Sequence, residues 1–295
     1  MKLTDHDLAQ LLALAQTAAT KAGAHIQARV GRHRESNRKE GGNTLASQVV
    51  TEVDLESQEL ILEILAESID KFQFGLLTEE SEDDASRLET DFFWCIDPLD
   101  GTLPFMEGVS GYSVSIALVS RAGEPSLGVI HDPSSGDTFH ALRGKGAFKN
   151  REPLPDRVPS KSGSLTWIMD RSMKSLENAG EIFDHMRKIA AELGCSGFTT
   201  IDHAGAALNG AWVTQHSPAV YFKFPKAEKG GGSLWDFAAS ACLMKEWGQP
   251  TTDIFGKPLN LNPAESTFMN KRGVIYASDS ELKTAIIELW KVIGE

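Results

Sequence analysis

The run Phe92-Phe93-Trp94-Cys95-Ile96 breaks abruptly into Asp97-Pro98-Leu99-Asp100-Gly101-Thr102, and this junction limits the fold more than any other segment. The aromatic-rich run reads as a strand. Pro98 has no amide N–H and Gly101 permits a tight bend, so the backbone turns sharply where the strand ends. Two carboxylates in such a turn point at one spot, where they repel and one takes up a proton. A divalent cation removes that conflict. All-oxygen ligation by carboxylates, a main-chain carbonyl and waters favours Mg²⁺ or Mn²⁺ over zinc. The blander alternative is a turn in which Asp97 and Asp100 only satisfy backbone amides.

Charge narrows the partners. Against 29 basic residues the chain has 41 acidic ones, for a formal net charge of −12. A nucleic-acid polymer or an anionic membrane would require a positive field, so neither is expected. Bound metal ions would still let an acidic chain hold a phosphate. Cys95, Cys195 and Cys242 are odd in number and far apart, forming no disulfide framework. No signal-peptide core or membrane-length apolar stretch is present, so a reducing cytoplasm is the expected compartment.

Leu8, Leu11, Leu12, Ala15, Ala19, Ala22 and Ile26 repeat at helical spacing, with Thr4 and Asp7 placed as a capping box. Residues 31–43 read as a mobile surface loop. A second helix is expected from near Thr51, burying Leu60, Ile61, Ile64 and Leu65, followed by a strand over 72–77. Tyr112, Val114, Ile116 and Leu118 alternate with Ser113, Ser115 and Ala117, the period of a half-buried strand. Strands at 127–131 and 138–142 flank a Pro/Ser/Gly turn, which suggests an antiparallel meander. The Pro- and Gly-bearing stretch 151–164 is the expected domain boundary. Beyond it strands (165–169, 197–201, 219–224, 273–277) alternate with helices (176–193, 204–213, 234–247, 281–293).

Further carboxylates follow predicted elements. Glu79-Glu80-Ser81 comes after a strand, and Trp235-Asp236 opens a helix in which Ser233 and Asp236 have capping-box spacing. Taken alone, Asp236 is just a cap. Thr51-Glu52-Val53-Asp54, Glu79-Glu80-Ser81, Asp97 to Thr102 and Trp235-Asp236 together have the order of the inositol monophosphatase family, which the chain resembles over about residues 44–260. The stretch from Gly128-Val129-Ile130 to Arg143-Gly144-Lys145-Gly146-Ala147-Phe148 is similar to that family as well.

The resemblance implies a layered α/β/α/β/α sandwich, with an α+β domain over 1–155, an α/β domain over 156–295 and metals in the cleft between them. It implies Mg²⁺-dependent hydrolysis of a small phosphorylated metabolite, with two to three ions, Mn²⁺ as a substitute and inhibition by lithium. Glu79, Asp97, the Leu99 carbonyl, Asp100 and Asp236 would hold the metals; Thr102, Asp54 and Glu79 would serve catalysis by orienting and deprotonating water. Asp100, Gly101, Thr102, Gly205, Ala206, Lys223 and Asp236 would face substrate. A homodimer is the assembly entertained.

Two departures bear on substrate. Leu103-Pro104-Phe105 replaces the usual continuation after Asp-Gly-Thr, which puts an inositol preference in doubt. Lys223, Lys226 and Lys229 lie just before the Asp236 helix and would suit a second anionic group, as in 3′-phosphoadenosine 5′-phosphate; a solvated basic loop explains Lys226 and Lys229 somewhat better, which leaves Lys223, beside aromatics on a predicted strand, as the expected substrate contact. A covalent aspartyl phosphatase would space its carboxylates differently, and Leu99 breaks an EF-hand loop. The competing class is a catalytically silent relative that binds metal in a regulatory role.

Overall fold

The structure, a computed structural model, describes residues 1–30, 43–155 and 163–294. The first helix, α1 (Asp5–Arg29), starts at the expected capping box: the Asp7 N–H donates to Thr4 Oγ1 at 3.2 Å and the Thr4 N–H to Asp7 Oδ2 at 3.0 Å. The expected loop at 31–42 lies outside the described residues, and Asn43 belongs to the next helix. That helix, α2 (Asn43–Phe72), begins well before Thr51. Polar residues around Asp54 had suggested a helix start; instead Val53 and Asp54 are buried side by side within the helix. Ile61 and Leu65 are buried as expected, whereas Leu60 and Ile64 are only half-buried. Phe72 is helical, the left-handed Gln73 ends α2, and the following strand is displaced to β1 (Gly75–Thr78).

After the short α3 (Ser86–Glu89) come β2 (Phe92–Asp100) and α4 (Thr102–Glu107). The meander β3 (Ser113–Ser120), β4 (Pro125–His131), β5 (Thr138–Leu142), β6 (Gly146–Lys149) and β7 (Glu152–Pro153) completes a seven-stranded sheet in sequential order. Its β1–β2 pair is parallel and the remaining pairs are antiparallel. The second half supplies β8 (Ser164–Ile168), α5 (Ala179–Glu192), β9 (Gly197–Ile201), α6 (Ala206–Trp212), β10 (Ala219–Lys223), α7 (Leu234–Glu246), β11 (Thr251–Thr252), β12 (Val274–Ala277) and α8 (Ser280–Ile293). Its five strands lie in the order β11-β12-β10-β8-β9, with β8 parallel to both β9 and β10.

Strand alternation assigns side chains to three apolar cores and so stacks five layers. Phe92, Trp94 and Ile96 face α1 and α2, while Phe93 and Cys95 face the middle helices α6 and α7. Ala219 and Tyr221 join that central core; Val220 and Phe222 turn outward to α5 and α8. The order is helices, sheet, helices, sheet, helices: the α/β/α/β/α sandwich. In one respect β3 departs from expectation, since it is covered on both faces, with Ser113 and Ser115 fully buried. Its small residues are not a solvent face but room for α7. Ser115 Oγ donates to the Trp235 carbonyl at 3.0 Å, and a Cβ on neighbouring Gly128 would lie 2.6 Å from the Ala239 carbonyl oxygen.

Candidate metal and phosphate site

The parallel β1–β2 pair places Thr78 beside Ile96, so the next residues, Glu79 and Asp97, are neighbours where β1 ends while β2 runs on to Asp100 beside β3. Between Asp97 and Asp100 the β2–β3 register shifts, and the Asp97 Oδ1 carboxylate accepts the Leu99 N–H at 3.0 Å. Gly101 then adopts φ +87, where a Cβ would lie 2.6 Å from the Gly111 carbonyl oxygen, and α4 begins at Thr102. From the other half, α7 supplies Asp236, whose Oδ2 accepts the Ser233 N–H of its own N-cap. Cap and cluster member are the same side chain. Carboxylate oxygens of Asp97, Asp100 and Asp236 all lie within 4.8 Å of one another.

This concentration of negative charge moves every carboxyl the same way. Burial first, then the charges of Glu79, Asp100 and Asp236, hold Asp97 well above the usual carboxylate range. Asp100 shifts up through burial and the Asp236 charge. Asp236 is raised by burial, with the Lys223 ammonium opposing. Although Glu79 is exposed, lost hydration and then the Asp236 charge push its carboxyl up to about 7. On α2, Asp54 is pushed up to about 8 by burial and by Glu80 and Glu79. A cation would relieve carboxyls displaced together in this way, and their all-oxygen donor set fits a hard divalent ion.

Asp100 is also anchored at the start of α6. Its Oδ1 accepts the Ala206 N–H at 3.0 Å, and its Oδ2 accepts the Ala207 N–H at 2.9 Å and Ser113 Oγ at 3.3 Å. A Cβ on Gly205 would lie 2.4 Å from both Asp100 carboxylate oxygens, so the small residues at 205–207 serve this carboxylate directly. Thr102 Oγ1 lies 3.5 Å from the Leu99 carbonyl oxygen. Among the described residues no hydrogen bond joins Asp54 to Thr102; Asp54 lies instead beside Glu79 and Glu80.

A cavity of about 330 Å³ opens beside these groups, lined among others by Asp100, Thr102, Gly205, Ala206, Lys223 and Asp236. Lys223 is already paired: its Nζ lies 2.8 Å from Asp170 Oδ2, and the Phe237 ring centroid is 5.2 Å away. Lys226 and Lys229 are exposed. Sequence reasoning missed Asp170, which also accepts from Tyr221 OH at 3.0 Å and Asn209 Nδ2 at 3.3 Å. Its signal was position: it follows the apolar run of β8, at the carboxyl end of a strand with parallel neighbours, where α/β sheets place ligands.

A sequence profile of the inositol monophosphatase family matches residues 7–294. The chain belongs to that family. It is 30% identical over 242 residues to the fructose-1,6-bisphosphatase/inositol-1-monophosphatase of Thermotoga maritima, covering 81% of this chain and 84% of that protein. It is 31% identical over 209 residues to the Nus factor SuhB of Pasteurella multocida, covering 70% and 72%. The solved inositol monophosphatase of Anabaena (Nostoc) superposes with a TM-score of 0.69 at 26% identity, over 97% of each chain. This family member is therefore a phosphoric monoester hydrolase acting on a small phosphorylated substrate, with an acidic cluster suited to the metal dependence general in the family. Among the described residues, no helix is long and apolar enough to cross a membrane.

Proposed function

We propose that the protein hydrolyses a small phosphate monoester with Mg²⁺, or Mn²⁺ in its place, held as two to three ions by Glu79, Asp97, the Leu99 carbonyl, Asp100 and Asp236. The observation that carries this reading is the meeting of Asp97 and Asp100 with Asp236, from elements far apart in the chain, within 4.8 Å. Bound Mg²⁺ supplies acidified water and neutralises charge on the leaving oxygen. The protein's own groups do the remaining work. Thr102 orients the attacking water, and Asp54 and Glu79 help to take up its proton. Backbone N–H groups of Gly101 and Thr102 are offered to the phosphate oxygens.

The same reading divides the chain into domains 1–155 and 156–295 and puts the substrate between them. Inositol monophosphate and 3′-phosphoadenosine 5′-phosphate are the candidate substrates. Because Lys223 is neutralised by Asp170, the pair suits a substrate hydroxyl, as donor and acceptor, better than a second phosphate. A silent binding or regulatory role finds less support, since each expected side-chain ligand is a carboxylate.

Phosphate release should be measured with Mg²⁺ on inositol 1-phosphate, 3′-phosphoadenosine 5′-phosphate, fructose 1,6-bisphosphate and a simple monoester. Turnover of at least one, abolished by a chelator and restored by Mg²⁺, is expected. Release that survives chelation overturns the metal assignment.

A further inference from the structure

The connection from β10 to α7, residues 224–233, leads directly to Asp236 and has little of its own to hold it in one shape. Residues 226–229 are exposed, and Gly230, Gly231 and Gly232 follow with φ of +117, +78 and +100. Glycines and solvated side chains leave such a loop many conformations, and fixing one of them costs entropy. A second segment, residues 267–270, is laid alongside and fixes it. The Met269 N–H donates to the Gly232 carbonyl at 3.0 Å, and the Leu234 N–H to the Thr267 carbonyl at 2.9 Å. These two bonds flank Ser233, whose N–H is given to Asp236 Oδ2. Farther up the loop, the Lys226 N–H donates to the Asn270 carbonyl at 2.7 Å.

Asn270 closes the middle of this clamp. It is buried, at 6% exposure, and its Nδ2 donates to the Lys226 carbonyl at 3.2 Å and the Glu228 carbonyl at 2.9 Å. A side-chain amide has two N–H donors, and Asn270 gives both to main-chain carbonyls two residues apart, curling the loop. The curl ends against the acidic cluster: a Cβ on Gly232 would lie 3.2 Å from Asp236 Oδ2, so loop backbone and carboxylate are near contact. Resting on the metal reading above, we infer that Asn270 is a positioning residue for Asp236. By holding the 226–228 carbonyls it fixes the loop, the loop fixes the Ser233 N–H, and that N–H orients the carboxylate toward Asp97 and Asp100. Groups that orient a ligand from behind are worth about 10- to 100-fold in metal affinity. Asn262 supplies a matched comparison. It is buried to the same degree, at 7% exposure, and its Nδ2 likewise donates to two main-chain carbonyls, of Arg87 at 2.9 Å and Arg121 at 3.0 Å, but these lie outside the metal cavity.

The test is Mg²⁺ binding to the full-length protein by isothermal titration calorimetry, with no substrate present. Asn270→Ala should weaken binding about tenfold. Asn262→Ala, which removes the same number of buried hydrogen bonds elsewhere, should leave it within about twofold. In an Asp236→Asn background Asn270→Ala should weaken binding no further, because the carboxylate it serves is gone. Should an alanine variant fail to fold, serine at the same position, a smaller polar group that cannot reach both carbonyls, is read in its place. Three results overturn the positioning role: no weakening by the Asn270 variant, equal weakening by the Asn262 variant, or undiminished weakening on top of Asp236→Asn. An unaltered protein that binds no Mg²⁺ overturns the metal reading with it.

Discussion

Asp253 and Asp97 are equally hidden from solvent, at 0% and 1% exposure, yet their surroundings are opposite in kind. Asp253 receives four donors. The Phe255 and Lys257 N–H groups reach Oδ1 at 3.0 and 2.8 Å, and Arg272 Nε and Nη2 reach Oδ2 at 3.0 and 2.9 Å. Its charge is balanced within the fold, and it holds the turn before β12. Asp97 receives one backbone N–H and faces three further carboxylates. A buried charge left unpaired is costly, and it persists where something outside the chain completes it. The contrast separates a carboxylate used for structure from carboxylates kept in reserve for a cation.

The sharpest way to break that contrast is to exchange charge for shape. Asp97→Asn should lower kcat by about 10³-fold or more, the scale of losing a central electrostatic contact in the transition state. Because it removes one of the mutually repelling charges, it should leave the melting temperature of the metal-free protein unchanged or raised. A loss of stability comparable with the loss of activity would place Asp97 with Asp253 as a structural residue.

Gly205→Ala tests whether Asp100 must sit against α6. The added Cβ, 2.4 Å from both carboxylate oxygens, forces the carboxylate or the helix start to move. Turnover should fall by about 100-fold, as for a displacement near 1 Å at a reacting centre. Phosphate-release kinetics and the Mg²⁺ concentration at half-activity should shift together; a change in neither would show that Asp100 need not hold its place.

Proton competition gives the next effect. Glu79 and Asp54 are raised to about 7 and about 8 in the folded chain, so the folded state holds protons that the unfolded state has released. The resulting stabilisation is full below the unfolded carboxylate range and is lost as pH rises through about 7 to 8. The metal-free protein should therefore melt at lower temperature at pH 8 than at pH 5. Mg²⁺ should reverse that trend, and its apparent affinity should weaken by up to about tenfold per pH unit below 7 for each proton displaced. Calorimetric melting with and without Mg²⁺ checks both, and a metal-free melting temperature that rises with pH would contradict the raised carboxyls.

The smallest effect on turnover belongs to the self-satisfied partner. Asp253→Asn should cost about 2 kcal/mol of folding stability, the scale of a disrupted buried hydrogen-bond set, while kcat stays within about twofold. Urea unfolding and phosphate release measured on the same preparation would decide it; a large drop in kcat would tie this turn to the reaction.

Much of the architecture could be read before any coordinates. Helical spacing identified α1, and alternating strand and helix patterns identified β8, β9, α7 and α8 to within a few residues. The errors occurred where polarity had a tertiary cause. Around Asp54 polar residues looked like a helix start because the cleft they face is not local. Ser113 and Ser115 looked like a wet face because only α7, more than a hundred residues later, covers them. Asp170 was passed over because a single acid after a strand carries no motif; its meaning comes from Lys223, Tyr221 and Asn209 converging on it.

By itself the sequence determined the local conformations, through residue period, turn chemistry and capping, and it set the acidic positions at the ends of elements. What it did not determine was which acids meet. Asp236 reaches Asp97 and Asp100 only because α7 packs between the two sheets, seated on the small residues of β3 and β4. Close packing of a helix against a sheet is a property of two surfaces at once, and no stretch of one strand or one helix contains it.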